Sequence, residues 1–471
     1  MMKWEIWLFR EIEDTAQSRH FHAGFLRSPL RPVAQDGSGT MEVRTYTGKF
    51  LGNYRRRIVD DEMDYLLAEL PALLLDGPKA VGKTETARQR AKTFVRLNRE
   101  RDFQLADAQL DSYLLKPAPV LFDEWQRLPQ VWEAVKDSVD EDKTPARFLL
   151  TGSAPVDDTH SGAGRIPSLR MRPLTLPERL VCTPSVSLKA LLTGERSALT
   201  GTSGFTLEDY TDLILHSGFP GFQDLSSRSL NKHLDTYLER LVNVDMKEAG
   251  TVVRQPDTLM CWLRAYAVTV ATTTSWEKVR DGANAGHDDT PSRDATTRYT
   301  EALTRLRILD EVLPWLPSDN HLSRLGLTPK RFLADPALAA RLVGVPRDRL
   351  LQGEGPARAP RDGTYLGALF ESLVALSLLV FSDANSVPLR HLRTWSGHHE
   401  VDFIVVGQGG RVVALEAKLG NTVRPEHVSH LKWLKEKLGD RLLDAVVVNT
   451  GSDAYRRKDG IGVVPLSLLG P

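Results

Sequence analysis

Gly77-Pro78-Lys79-Ala80-Val81-Gly82-Lys83-Thr84 follows the strand-like LLLD (73–76) and leads into helix-forming residues. The spacing is GxxxxGK[ST], in the strand–loop–helix context that gives the motif its meaning. The glycines let backbone N–H groups close round phosphate oxygens at the positive end of the following helix. Lys83 is placed to reach the β- and γ-phosphates, and the Thr84 hydroxyl to ligand Mg²⁺. All eight residues are therefore expected to hold ATP, with Lys83 acting on the transferred phosphate.

Two further apolar runs work outward from this loop. Val120-Leu-Phe-Asp123-Glu124 ends in two carboxylates. Asp123 is expected to hold the magnesium shell, and Glu124 to orient or deprotonate the attacking water. The run FLL (148–150) ends in Thr151-Gly-Ser153, whose hydroxyls suit a γ-phosphate sensor, although a plain turn explains them equally well. Short apolar runs alternating with amphipathic stretches between residue 54 and about residue 179 are the pattern of an α/β domain with a parallel sheet.

Composition sets the outer limits. The 471 residues are too many for one typical core, so two to four domains are expected. Lys+Arg and Asp+Glu balance at 61 each, so any DNA contact must come from a local basic patch rather than from net charge. Two cysteines, Cys182 and Cys261, form no CxxC pair, which excludes a zinc ribbon and fits a reducing cytosol. The amino end MMKWEIWLFREIED lacks the apolar core of a signal peptide, and the apolar stretch 373–381 is too short to span a bilayer. A cytoplasmic protein without membrane contact is expected.

The motifs GPKAVGKT, LFDEWQRLP, FLLTGSA and Gly164-Arg165 followed by RPLTLPER resemble the AAA-type P-loop ATPases of bacteria and archaea that carry a carboxy-terminal DUF4143 domain. The likeness extends through HSGFP (216–220), YLERLVNVDM (237–246), LADPALAARL (333–342) and TWSGHHEVDF (394–403). It implies five segments. Residues 1–45 form an extension of uncertain role, 46–184 the ATPase core, and 185–254 a helical lid. Residues 255–349 form a winged-helix-like middle, and 350–471 a tail with an α/β restriction-endonuclease-like fold. It also makes Arg165 a candidate arginine finger acting in a homo-oligomer, against the alternative of a structural salt bridge.

Within the middle segment, Arg293, Thr296, Thr297 and Arg298 fall near the amino end of the third helix, where a DNA-reading helix meets the major groove. Thr296 or Thr297 is expected to cap that helix. The leucines of the same helix, Leu303, Leu306 and Leu309, show mainly that one face is buried.

The tail opens with TYLGALFESLVALSLLV, which places Leu366, Leu369, Phe370, Leu373, Leu376 and Val380 on one stripe with Glu371 off it. EVDFIVV (400–406) and RVVALEAKL (411–419), joined by Gly407-Gln-Gly-Gly410, read as a β-hairpin. Its register sets Asp402 opposite Glu416, with side chains roughly 5 Å apart, and Lys418 on the same face. Two carboxylates and a lysine so placed can hold Mg²⁺ and activate water for phosphodiester cleavage. The set Glu371, Asp402, Glu416 and Lys418 resembles the PD-(D/E)xK nuclease pattern without its leading Pro-Asp; surface charges on a half-buried hairpin are the plainer alternative. His398 and His399 point to opposite faces and are expected in a loop. Trp125 and Trp132 are expected to be packing residues. Two functions remain: a Mg²⁺-dependent ATPase driving a DNA-directed nuclease domain, or an ATP-gated DNA-binding switch without cleavage.

Overall fold

Ala72–Asp76 is apolar up to its last residue and buried throughout, as an interior strand of a parallel sheet must be; it forms β1. Thr93–Arg96 (β2), Val120–Asp123 (β3), Phe148–Gly152 (β4) and Ser168–Arg170 (β5) join it in an all-parallel sheet ordered β2-β3-β4-β1-β5. The register sets Thr151 between Asp123 and Leu75, so the strand ends that carry the motif residues share one edge. That carboxyl edge is where open α/β sheets bind ligands. Trp125 and Trp132 pack beneath it, both buried, with ring centroids 5.0 Å apart. These elements belong to a computed structural model, which describes residues 54–153, 164–283, 291–316, 328–353, 364–395 and 397–471. The expected extension 1–45 lies outside the described residues.

Val186–Ser187 (β6) leads into helices Leu188–Thr193, Leu207–Leu215 and Ser227–Arg240. The last of these continues through a π-helical turn at Leu241–Asp245 into Met246–Glu248. Three more helices follow, Pro256–Val268, Trp276–Gly282 and Arg293–Arg305. The cap of the third helix is Ser292, whose hydroxyl accepts from the Ala295 N–H, and not Thr296 or Thr297. A capping residue needs extended backbone, which Ser292 has and a threonine inside the first two turns does not. Thr296 is buried, whereas Arg293, Thr297 and Arg298 are exposed.

Leu309–Pro314 (β7) and Lys330–Leu333 (β8) then form an antiparallel pair. They join Leu389–Arg393 (β9), Glu400–Val406 (β10), Val412–Lys418 (β11), Leu442–Asn449 (β12), Tyr455–Arg456 (β13) and Gly462–Pro465 (β14). The eight-stranded sheet runs β13-β14-β12-β11-β10-β9-β7-β8, crossing the position near residue 350 where the tail is expected to begin. Parallel pairing of Leu313 with Arg390 and Pro314 with His391 makes that join. Leu469–Gly470 (β15) returns to pair with β6.

Helix Tyr365–Ala384 lies against this sheet. It does not bury one stripe alone: Val374, Ala375, Leu378 and Phe381 are buried as well as the expected leucines. A helix apolar all round is a core helix or a membrane span by composition alone. This one is long and apolar enough for a span, but 78% of its most apolar window is buried inside the protein.

Charge ties the two sheets together. Asp310 on β7, buried, lies 3.1 Å from Arg170 on β5 and 3.2 Å from Arg172. Arg172 also pairs with the half-exposed Asp383 at the end of the long helix. Removing the buried partner strands two guanidinium groups, whereas removing the exposed one lets water replace it. Asp310→Ala is therefore expected to lower unfolding free energy by about 3–5 kcal/mol, and Asp383→Ala by about 1 kcal/mol or less. Urea denaturation of both variants checks this, and equal losses would contradict it.

Candidate nucleotide site and carboxylate cluster

The loop after β1 is shaped by backbone that only some residues tolerate. Gly77 has φ +155°, and a Cβ there would lie 2.2 Å from the Met171 carbonyl oxygen. Gly82 has φ +97° and starts helix Lys83–Arg88. Inside the loop, Lys83 Nζ donates to the carbonyls of Gly77 at 2.7 Å and Pro78 at 2.8 Å. Burial pushes the Lys83 ammonium down to about 8, with Glu124, Asp76 and Asp123 opposing.

The Thr84 and Thr151 hydroxyls both donate to the same oxygen, Asp123 Oδ1, at 2.6 Å each. A threonine hydroxyl bonded to an aspartate at a strand end is a donor set that suits Mg²⁺. Thr151 is thus a partner of Asp123. Glu124 has left-handed backbone, φ 58° and ψ 48°, which for a non-glycine residue costs about 1–3 kcal/mol. It sits at the turn from β3 into Trp125–Arg127, and Gln126 Nε2 donates to its carboxylate and, at 3.4 Å, to Ser153 Oγ.

Several residues that hold the loop carry no motif. Arg57, 5% exposed, donates to the Val81 carbonyl at 2.9 Å, the Arg172 carbonyl at 2.8 Å and Glu178 Oε1 at 2.9 Å. Glu178 belongs to the RPLTLPER stretch, so that stretch anchors the back of the loop. Lys79 directs its ammonium away from Lys83, to Asp245 at 2.8 Å and Glu248 at 2.6 Å. Asp245 closes the π-helical turn in YLERLVNVDM, and irregular turns of this kind often mark functional positions. Asp76 Oδ2 accepts two bonds of 2.6 Å from Arg307, just before β7.

Arg165 is not among these residues. Its Nε lies 2.6 Å from Asp140 Oδ1 in an exposed pair at the end of helix Gln130–Glu141. In this chain it makes the structural salt bridge that the sequence left open.

The hairpin β10–β11 pairs Phe403 with Leu415, which carries Asp402 opposite Glu416. Asp402 Oδ2 accepts the Ala417 N–H at 3.0 Å and lies 3.8 Å from Lys418; Lys418 donates to Glu416 at 2.7 Å. Glu371 and Asp402 meet on a residue the sequence reading missed, Lys330 of β8. Its Nζ lies 2.6 Å from Glu371, 2.8 Å from Asp402 and 3.4 Å from Glu400. Burial opposes ionisation of Asp402, but Lys330 and then Lys418 hold it well below the usual carboxylate range. Burial pushes Glu371 up to about 7, helped by Asp402, and pushes Glu416 well above the carboxylate range. Nothing local signals Lys330: it lies forty-one positions before Glu371 (371 − 330) and reaches the cluster only through sheet pairing.

His399 precedes β10 and stacks on Trp433, with centroids 4.0 Å apart and planes at 6°. Among the described residues, no group of three or more His, Cys, Asp and Glu is placed to hold a metal ion.

Comparison with known proteins divides the chain in three. Residues 69–180 match an AAA domain family, residues 207–349 a domain of unknown function designated DUF8612, and residues 366–469 another designated DUF4143. The chain therefore carries an AAA-type P-loop ATPase domain followed by two domains whose families have no assigned function. An uncharacterized protein of Mycobacterium bovis and one of Mycobacterium tuberculosis are each 27% identical over 411 residues, spanning 85% of this chain and 81% of the relative. The solved Walker-type ATPase of Pyrococcus abyssi aligns at 16% identity and a TM-score of 0.36, over 60% of this chain and 94% of that one.

Next to the cluster, His391 is fully buried on β9, and Nε2 bonds the Thr328 carbonyl at 3.0 Å. Burial, then repulsion from Lys330, pushes its imidazole down to about 4. The unfolded chain takes up this proton near pH 6.5. The folded chain resists it, so stability falls as pH drops from 6.5 towards 4. The shift corresponds to on the order of 3 kcal/mol. His391→Gln, compared with the parent by urea denaturation at pH 7 and pH 5, is expected to lose less stability on acidification; parallel losses would contradict it.

Proposed function

We propose that this chain binds and hydrolyses ATP with Mg²⁺ at the edge of the five-stranded sheet. The observation that carries the reading is the convergence of Thr84 and Thr151 on Asp123 Oδ1 beside the buried Lys83. Thr84 and Asp123 would hold the metal, and Lys83 would exchange the Gly77 and Pro78 carbonyls for phosphate oxygens. Bound magnesium neutralises charge on the β- and γ-phosphates. Glu124, held by Gln126, is placed to orient water and take its proton. Arg165 would have to release Asp140 to reach a neighbouring subunit's phosphate.

The two domains that follow form the output, with DNA as the target class. Exposed Arg293, Thr297 and Arg298 near the start of a helix, followed by the β7–β8 hairpin, support a winged-helix-like reader. The helix, hairpin and carboxylates of the tail support a PD-(D/E)xK-like fold. One observation favours the gated switch over the nuclease: Lys330 stands where Glu371 and Asp402 would share a cation.

Lys83→Ala is expected to reduce steady-state ATP turnover by about 10²-fold or more. Glu124→Gln should reduce turnover by about 10²-fold or more while retaining nucleotide binding. Unchanged turnover in Lys83→Ala would remove the site. For the tail, plasmid and branched DNA with Mg²⁺ or Mn²⁺ are expected to stay uncut by the parent chain and to be retarded in gels. Products that disappear in Asp402→Ala and Lys418→Ala would instead establish the nuclease.

A further inference from the structure

Glu371 on the long helix, Asp402 on β10 and Glu416 on β11 are the carboxylates a divalent cation would need, yet as folded they do not fit one. Lys330 is 1% exposed, and its ammonium faces oxygens of Glu371, Asp402 and Glu400. A lysine ammonium has three donors and one positive charge, so it already bonds and partly neutralises the oxygens a metal would take. Lys418 engages the remaining carboxylate at 2.7 Å. One ligand position is left over: Glu416 Oε1, on a residue 2% exposed, has no hydrogen-bond partner. A buried carboxylate oxygen without a partner is costly and marks a place for a further donor or cation.

Lys330 also comes from outside the tail. It begins β8 in the segment matching DUF8612, whereas Glu371, Asp402 and Glu416 lie in the segment matching DUF4143. The contact is one domain reaching into the acidic site of the next. Lysine suits such a role because its charge sits on a flexible stem that can be withdrawn.

We propose that Lys330 is a plug, an internal counter-ion supplied by the middle segment that closes the tail's carboxylate cluster to divalent metal. Removing its ammonium opens a cation site formed by Glu371, Asp402 and Glu416. This deepens the reading of the tail as a gated domain and rests on it. Its test reads metal uptake, so its failure is separable from the outcome of the cleavage assay and leaves the ATPase site untouched.

The experiment titrates Mn²⁺ into nucleotide-free full-length chains by calorimetry, all carrying Asp123→Ala to silence the ATP site. Four are compared: the Lys330 parent, Lys330→Met, Lys330→Met with Glu400→Gln, and Lys330→Met with Asp402→Asn. The Glu400→Gln double variant restores charge balance by removing only the rim carboxylate, so it is expected to fold even where Lys330→Met alone does not. Lys330→Met and the Glu400→Gln double variant are expected to bind one Mn²⁺ per chain at least about ten-fold more tightly than the parent. Asp402→Asn should abolish that uptake. If neither of the first two folds without metal, Mn²⁺ during refolding is expected to recover them. Three results would overturn the plug: tight Mn²⁺ uptake by the parent that Asp402→Asn removes, no uptake by a folded Glu400→Gln double variant, or no recovery with Mn²⁺.

Discussion

Asp76 is the last residue of the strand that presents the phosphate-binding loop, and it is buried with a carboxylate that water cannot reach. An isolated charge there would cost several kcal/mol, so the architecture depends on a cation being brought to it. That cation is Arg307, from the turn that starts β7. The pair connects the loop strand of one sheet to the edge region of the other, and the Arg170–Asp310–Arg172 group repeats the connection one strand further out. Ion pairs that must stay matched hold the two sheets in one orientation, because sliding either past the other would strand buried charge.

The same constraint governs the loop from its other sides. Arg57 bonds two carbonyls and Glu178, closing the back of the loop, while Lys79 is drawn outward to Asp245 and Glu248 on the helical segment. The loop thus touches the preceding helix region, the helical segment after the sheet and, through Asp76, the middle of the chain. These are contiguous contacts between a nucleotide loop and the elements that would respond to it. They explain why stretches far apart in sequence, RPLTLPER and YLERLVNVDM, accompany one phosphate motif.

The carboxylate cluster shows the opposite use of a buried lysine. Lys83 is buried among loop carbonyls, with its charge poised for a phosphate; Lys330 is buried among carboxylates, with its charge already matched. Two lysines of equal burial therefore stand in opposite electrostatic states, one pushed down to about 8 and the other raised well above its ordinary value. Burial is common to both. What differs is the sign of the groups around them.

How much of this was legible in the sequence follows from the range of each interaction. The phosphate loop, the carboxylates ending Val120–Asp123-Glu124 and the facing of Asp402 with Glu416 were legible, because each depends on local backbone: a glycine turn, a strand period of two, a hairpin register. The third-helix cap was misplaced because several hydroxyl residues crowd 292–300, and only backbone geometry selects Ser292. Arg57, Arg307 and Asp245 carry no local signal, since they act across hundreds of positions or from turns with no motif. Lys330 is the clearest case. By itself the sequence determined the nucleotide-loop chemistry and the carboxylates of the hairpin. Only the tertiary structure decided which charges meet there, because a buried ion pair is chosen by sheet pairing and desolvation, neither of which is written in any short stretch of residues.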